Sequence, residues 1–403
     1  MWLFYMEMSI MARLRGSNSR DTLRGTNSID VLLGLGGDDL LVALAGNDRA
    51  FGGGGNDVIR GGGGNDLLRG DSGRDSLFGE AGNDRLNGGT GADIMRGGSG
   101  NDIYYVDNRN DRIIEGGGVD RVIVDGDTRF NLAGGIENLT VKGLDRFDLG
   151  IFTGNSLANT IDATQGNDAG AVRLYGNGGN DKLIGGRFGD RLDGGTGVDT
   201  LVGRGGDDNY YVDRGTDKVI EQAFGGDDTV FATASYTLPA HVENLTLIGG
   251  LAINGTGNNE DNTITGNGAA NRLKSGIGDD ILRGNAGADR FVFSELSDSN
   301  FGSGVDYIVD FASNGGFGDK IDLTEIDADP SGFGDQAFRF IGQMNTQNDW
   351  PEVMGLPEVG VVGWRITLNG DLTILANTDT DSDPELAIKI GNGGAVDADW
   401  FLL

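Results

Sequence analysis

The sequence predicts an all-β chain, a parallel solenoid of nine-residue repeats in three blocks with a β-rich C-terminal region. Three observations carry that expectation. Cut from Arg15, the chain repeats every nine residues ten times without a gap. Every repeat carries an aspartate at the same place, and in most of them an aliphatic residue follows two positions later. Glycine supplies 75 of 403 residues, close to one in five, with no three-residue period that would make the excess collagen-like.

The first block runs from 15 to 104, from RGSNSRDTL through RGGGGNDLL to RGGSGNDIY. It places Asp21, Asp30, Asp39, Asp48, Asp57, Asp66, Asp75, Asp84, Asp93 and Asp102 nine apart. The aliphatic positions are Leu23, Leu32, Leu41, Ile59, Leu68, Leu77, Leu86 and Met95. The second block, 153–210, opens with Asn159 where aspartate is expected. After an insertion following Asp168 it resumes at Asp181, Asp190, Asp199 and Asp208. The third, 254–290, spaces Asn262, Asn271, Asp280 and Asp289 by nine. Two spacers, 105–152 and 211–253, resemble each other at an offset of 106 residues: NDIYYVDNRNDRIIE matches DDNYYVDRGTDKVIE, and IENLTV matches VENLTL. Alternation such as Leu139, Val141 and Leu245, Leu247 reads as strand.

Counted from its leading glycine, the repeat has glycine at places one, two and four, aspartate at six and an aliphatic residue at eight. Glycine permits positive φ and leaves carbonyls uncovered. With the aspartate carboxylate, such a loop offers only hard oxygen ligands. That donor set suits Ca²⁺, which takes six to eight oxygens in flexible geometry, better than the strictly octahedral Mg²⁺. Places seven to nine read as a three-residue strand. Two repeats then make one 18-residue coil, so that alternate turns stack on the same side. Aspartates stacked this way repel one another unless a cation lies between them.

Composition excludes several functions. Acidic residues outnumber basic ones 62 to 31, a net charge of −31, which opposes nucleic acid and anionic membranes and attracts cations. With no cysteine there is no disulfide, thiol nucleophile or zinc-thiolate site, and a single histidine excludes a multi-imidazole zinc site. No apolar run is long enough to span a membrane. Neither H-E-x-x-H nor G-x-S-x-G occurs, and His241 reads as structural. Asp379, Asp381 and Asp383 imitate the start of an EF-hand loop, but Pro384 and Ile390 stand where its glycine and glutamate are required.

These residues resemble the hemolysin-type, or RTX, repeat of consensus GGxGxDxUx, which implies a Ca²⁺-binding parallel β-roll with ions held between turns one coil apart. On that resemblance the ligands are Asp39, Asp48, Asp57, Asp66, Asp75, Asp84, Asp93, Asp102, Asp181, Asp190, Asp199, Asp208, Asp280 and Asp289, for roughly a dozen ions. SNSRD and TNSID lack the inner glycines and read as a weak cap. Asn159, Asn262 and Asn271 lose the charge, so sites there should be weak or empty. Residues 291–403 are similar to the C-terminal domain of serralysin-type secreted proteases, and Asp399 followed by Trp400-Phe401-Leu402-Leu403 resembles an uncleaved type I (ABC transporter) secretion signal.

The N-terminal tail, 1–14, lacks the basic region and cleavage site of a Sec signal, and Met6, Met8 or Met11 could be the initiator. The expected protein is a secreted, extracellular, non-enzymatic Ca²⁺-binding exoprotein. Its partners would be calcium, the exporter and a cell-surface or matrix polymer. The alternative is the detached calcium-binding and secretion module of an RTX protease, lipase or alginate epimerase.

Overall fold

The computed structural model describes residues 11–126, 129–144, 149–165, 170–301, 304–312, 318–328, 336–344, 359–366, 372–378, 384–391 and 396–403. Met6, Met8, Asp168 and the EF-hand-like Asp379, Asp381 and Asp383 lie outside them. Contacts divide the chain into two units, 1–204 and 205–403. Among the described residues there is no α-helix, only two short 3₁₀ turns at Leu296–Asp298 and Ala398–Trp400, and no helix is long and apolar enough to cross a membrane.

In the first unit the nine-residue period becomes an eighteen-residue coil. Strands Arg13–Arg15, Val31–Gly36, Arg49–Gly54, Leu67–Gly73, Arg85–Gly91 and Ile103–Val106 form one parallel sheet. Thr22–Arg24, Leu40–Ala45, Val58–Gly63, Ser76–Ala81, Ile94–Ser99 and Arg112–Ile114 form a second. Register advances by 18: Leu32 pairs with Ala50, Ala50 with Leu68, Leu41 with Ile59 and Ile59 with Leu77. Side chains alternate across a strand, so each repeat sends one side chain inward. Two columns result, Leu32–Ala50–Leu68–Leu86–Tyr104 and Leu41–Ile59–Leu77–Met95, all fully buried.

From Val31 on, strands in the first block are longer than three residues, because the glycine run joins them: Leu35 pairs with Gly53 and Gly36 with Gly54. Three-residue strands do occur in the second block, at Lys182–Ile184, Arg191–Asp193 and Thr200–Val202. The first spacer continues the coil. Arg121–Asp125 pairs in parallel with Ile103–Val106 and with Asn138–Lys142, which pairs in turn with Thr160–Gln165.

The second unit repeats the plan. Asn209–Val212, Thr229–Ala232, Asn244–Leu247, Thr263–Thr265, Ile281–Arg283 and Asp306–Ile308 run parallel in one sheet. Parallel order is interrupted toward the far side of that sheet, where Val361–Ile366 and Leu386–Ile390 each pair antiparallel with Leu372–Asn377, and the edge strand Arg339–Gln343 pairs parallel again with Val361–Ile366. The other sheet carries Arg272–Lys274, Arg290–Val292 and Lys320–Asp322, with Phe401–Leu402 as its last strand. Trp400 and Phe401 are buried, Trp400 4.5 Å from the Phe311 ring and Phe401 5.3 Å from that of Phe340.

Candidate metal centre

Parallel stacking at 18-residue steps brings the aspartates into columns. Each does two things. Its Oδ1 accepts a hydrogen bond from the backbone N–H of the aspartate one coil earlier: Asp39 to Asp57, Asp48 to Asp66, Asp57 to Asp75, Asp66 to Asp84, Asp75 to Asp93 and Asp84 to Asp102, at 2.7–2.8 Å. The second oxygen, Oδ2, has no donor at Asp39, Asp48, Asp57, Asp66, Asp75, Asp84, Asp93, Asp102, Asp181, Asp280 and Asp289, and each of these side chains is at least 98% buried.

Those oxygens face more acceptors. A Cβ placed on Gly70 would run into both Asp75 Oδ2 and the Gly88 carbonyl, and one on Gly79 into Asp84 Oδ2 and the Gly97 carbonyl. First-place glycine therefore leaves room between a carboxylate and a carbonyl of the next turn. Buried acceptors turned toward each other are unfavourable until something positive lies between them. Burial first, then the like charge one coil away, pushes the carboxyls up from 3.8: Asp66 and Asp181 to about 6, Asp75, Asp84 and Asp280 to about 7. A hard dication satisfies this all-oxygen set.

The loops exist in two states. Where the fourth place is glycine it takes positive φ, as at Gly37, Gly55, Gly64, Gly73, Gly179, Gly278 and Gly287. A Cβ on Gly64 would collide with the Gly46 carbonyl one coil earlier, so no larger residue fits. Second-place glycine is not required: Leu35, Leu44, Asp71, Glu80, Asn177, Arg204 and Asn285 take positive φ there. Nor does the first-place glycine take positive φ. Its role is the space it leaves.

Where the fourth place is Ser19, Ser28 or Phe188 the loop closes instead. The second-place N–H then caps the carboxylate: Ser17 on Asp21 at 2.6 Å, Thr26 on Asp30 at 2.5 Å, Gly186 on Asp190 at 2.6 Å. Asp190 thus differs from the other expected ligands, and the sequence carried the signal in Phe188. Asp199 and Asp208 lie in open loops, buried like their neighbours.

The three asparagines explain themselves. In each, Oδ1 takes the second-place N–H, from Asn155, Asn258 and Asn267. The amide nitrogen donates to a carbonyl of the previous turn: Asn159 to Ile136, Asn262 to Val242, Asn271 to Ile253. A neutral donor stands where an aspartate turn needs a cation.

The nine-residue count stopped at the spacers and missed carboxylates that continue the column. Asp102 N–H donates to Asp120 Oδ1 and Asp208 N–H to Asp228 Oδ1, while Asp120 and Asp228 donate to Glu137 and Glu243. Asp280 donates to Asp306 and Asp289 to Asp319. The nine-residue step carried past Asp102 reaches Asp111, which accepts from the Asp93 N–H, and then Asp120.

A ranking follows. Asp66→Ala removes one rung and one cation ligand mid-column, and should raise the Ca²⁺ concentration for half-maximal folding several-fold. Asp21→Ala, in a closed and partly exposed loop, should leave it unchanged. Equal shifts in a Ca²⁺ titration followed by circular dichroism would refute the division into open and closed loops.

Comparison with curated proteins gives no match. The family model for the RTX calcium-binding nonapeptide repeat (4 copies) matches residues 15–50, 43–77, 69–104, 78–113, 153–192, 184–219 and 256–291, together just over half the chain. With the aspartate columns and the hard-oxygen loops, that match makes this chain a calcium-binding member of the RTX repeat family.

Proposed function

We propose that the chain is a non-enzymatic exoprotein, exported unfolded by an ABC-type type I machinery and folded outside by about a dozen Ca²⁺ ions, with a role at the cell surface or in a matrix. The observation that carries this reading is the set of buried Oδ2 atoms without donors. A solenoid held together by such groups is conditional on its cation. At the low free Ca²⁺ of a bacterial cytosol the chain would stay unfolded and able to thread a pore; at extracellular Ca²⁺ mass action would fold it.

The serralysin-like tail fits the same scheme. Trp400 and Phe401 are buried in the fold, so an exporter could read them only before folding. His241 is 2.9 Å from Glu260 and partly exposed, which favours a structural role over catalysis.

Deleting residues 390–403 should abolish delivery to the medium through a type I exporter. The deletion also removes the Phe401 strand from the second unit, so Ca²⁺-induced folding is checked on the first unit by limited proteolysis, where it should persist. Truncated protein reaching the medium through that exporter would overturn the export reading.

A further inference from the structure

Among the described residues, two places bring three acidic side chains together with a ligand oxygen of each within 4.8 Å of the others: Asp102, Glu115 and Asp120, and Asp208, Glu221 and Asp228. Both glutamates belong to spacers, outside the aspartate pattern of the repeat. Glu115 leads the loop EGGGVD, at the place where the repeats carry glycine. Its carboxylate therefore enters the space a leading glycine leaves open.

The surroundings are built. Asp102 and Asp120 are 1% and 0% exposed, and the Oδ2 of each has no donor. The Tyr104 hydroxyl, held by the Gly97 N–H at 2.8 Å, donates to Glu115 Oε2. The phenol proton goes to Glu115, and the Oδ2 atoms of the two aspartates keep no donor. The three carboxylates recur 106 residues later at Asp208, Glu221 and Asp228, although the buried Tyr210 hydroxyl has no hydrogen-bond partner there and the loop from Glu221 to Asp228 is two residues longer than that from Glu115 to Asp120. Asp228 is fully buried and its Oδ2 also lacks a donor. Two loops of different length delivering the same three carboxylates argue for a requirement at the cluster itself.

We propose that each cluster is a Ca²⁺ site in which a glutamate carboxylate joins the two column aspartates, and that these two sites fill before the sites between ordinary repeats. An ordinary pair of stacked turns presents two aspartates to an ion; these present three carboxylates, and charge count is a main determinant of Ca²⁺ affinity in oxygen sites. Nothing in the inference depends on export.

The test uses the full chain with Tb³⁺ as a luminescent stand-in for Ca²⁺, excited through tyrosine, and calorimetry with Ca²⁺ itself. Wild type should bind its first two equivalents at least about ten-fold more tightly than the rest, with strong tyrosine-sensitised emission. Glu115→Gln with Glu221→Gln should remove that early phase and leave the later titration in place. An unchanged early phase would overturn the proposal. So would an unchanged titration with a more stable metal-free fold, because the clusters would then hold protons. Should the glutamine variant fail to fold, Tyr104→Phe with Tyr210→Phe keeps all six carboxylates and removes the nearest energy donors. Its first two equivalents should still bind while their emission falls several-fold, and undiminished emission would place the early ions elsewhere.

Discussion

In excess chelator at neutral pH the full chain should give the circular dichroism of a largely unfolded polypeptide, and millimolar Ca²⁺, but not Mg²⁺, should make it β-rich. From Leu32 on, each eighteen-residue coil of the first block buries only a few apolar side chains, such as Leu41, Ala43 and Ala50 or Ile59 and Leu68. Those few apolar groups stand against ordering a glycine-rich backbone, the residue type that loses most freedom on folding. From Asp39 on, each coil of that block also buries two carboxylates whose Oδ2 atoms find no donor. The net charge of −31 adds repulsion across the whole chain. Ca²⁺ removes both penalties at once, whereas Mg²⁺ holds its water and demands octahedral geometry. A β-rich spectrum persisting in chelator would refute the coupling.

Acid should partly replace the ion. Without metal, Asp75, Asp84, Asp120, Asp228, Asp280 and Asp289 are pushed up to about 7, and Asp66, Asp102 and Asp181 to about 6, burial being the largest cause in each. In the unfolded chain they titrate near 3.8. The folded state therefore binds more protons between those values. Its metal-free stability is greatest below the unfolded value and is lost as pH rises through 6 to 7. A neutral carboxyl can also donate to the carbonyl it faces. In chelator, β signal should grow on acidification from about pH 8 to about pH 4.5. In Ca²⁺ the sign reverses: protons compete for the same oxygens, so the titration midpoint should rise as pH falls below about 7. Metal-free dichroism flat across that range would refute the assignment of strain to these carboxylates.

Much of this was legible in the sequence, because the features that fix it are periodic. Two inward columns, the 18-residue coil and most of the aspartate column follow from a nine-residue spacing. Asp111 and Asp120 continue the spacing into the first spacer, and the rest of what escaped is not periodic in nine. Asp228 and Asp306 join the column at steps of 20 and 26 residues, and Glu115 and Glu221 stand at a place that composition marks as glycine. The three glycines of the repeat also looked equivalent and are not. At the first place glycine clears space, at the second it is replaceable, and only at the fourth does it decide whether a loop stays open. Asp190 was grouped with its neighbours for that reason, although Phe188 closes its loop.

The closed, amide-bonded turns at Asn159, Asn262 and Asn271 give the chain a map of where it comes apart. As Ca²⁺ is withdrawn, the run from Asp39 to Asp102 loses its support together, since every rung hangs on the next. Loss of the ion leaves in place the amide hydrogen bonds that tie Asn159, Asn262 and Asn271 to the turn before, where an amide proton does the ion's work. Unravelling should therefore stop at fixed addresses in each unit, leaving stubs from which the ion-dependent turns can wind again when Ca²⁺ returns. The positions of asparagine and of fourth-place glycine, more than the number of repeats, set how much of the molecule a fall in calcium can undo.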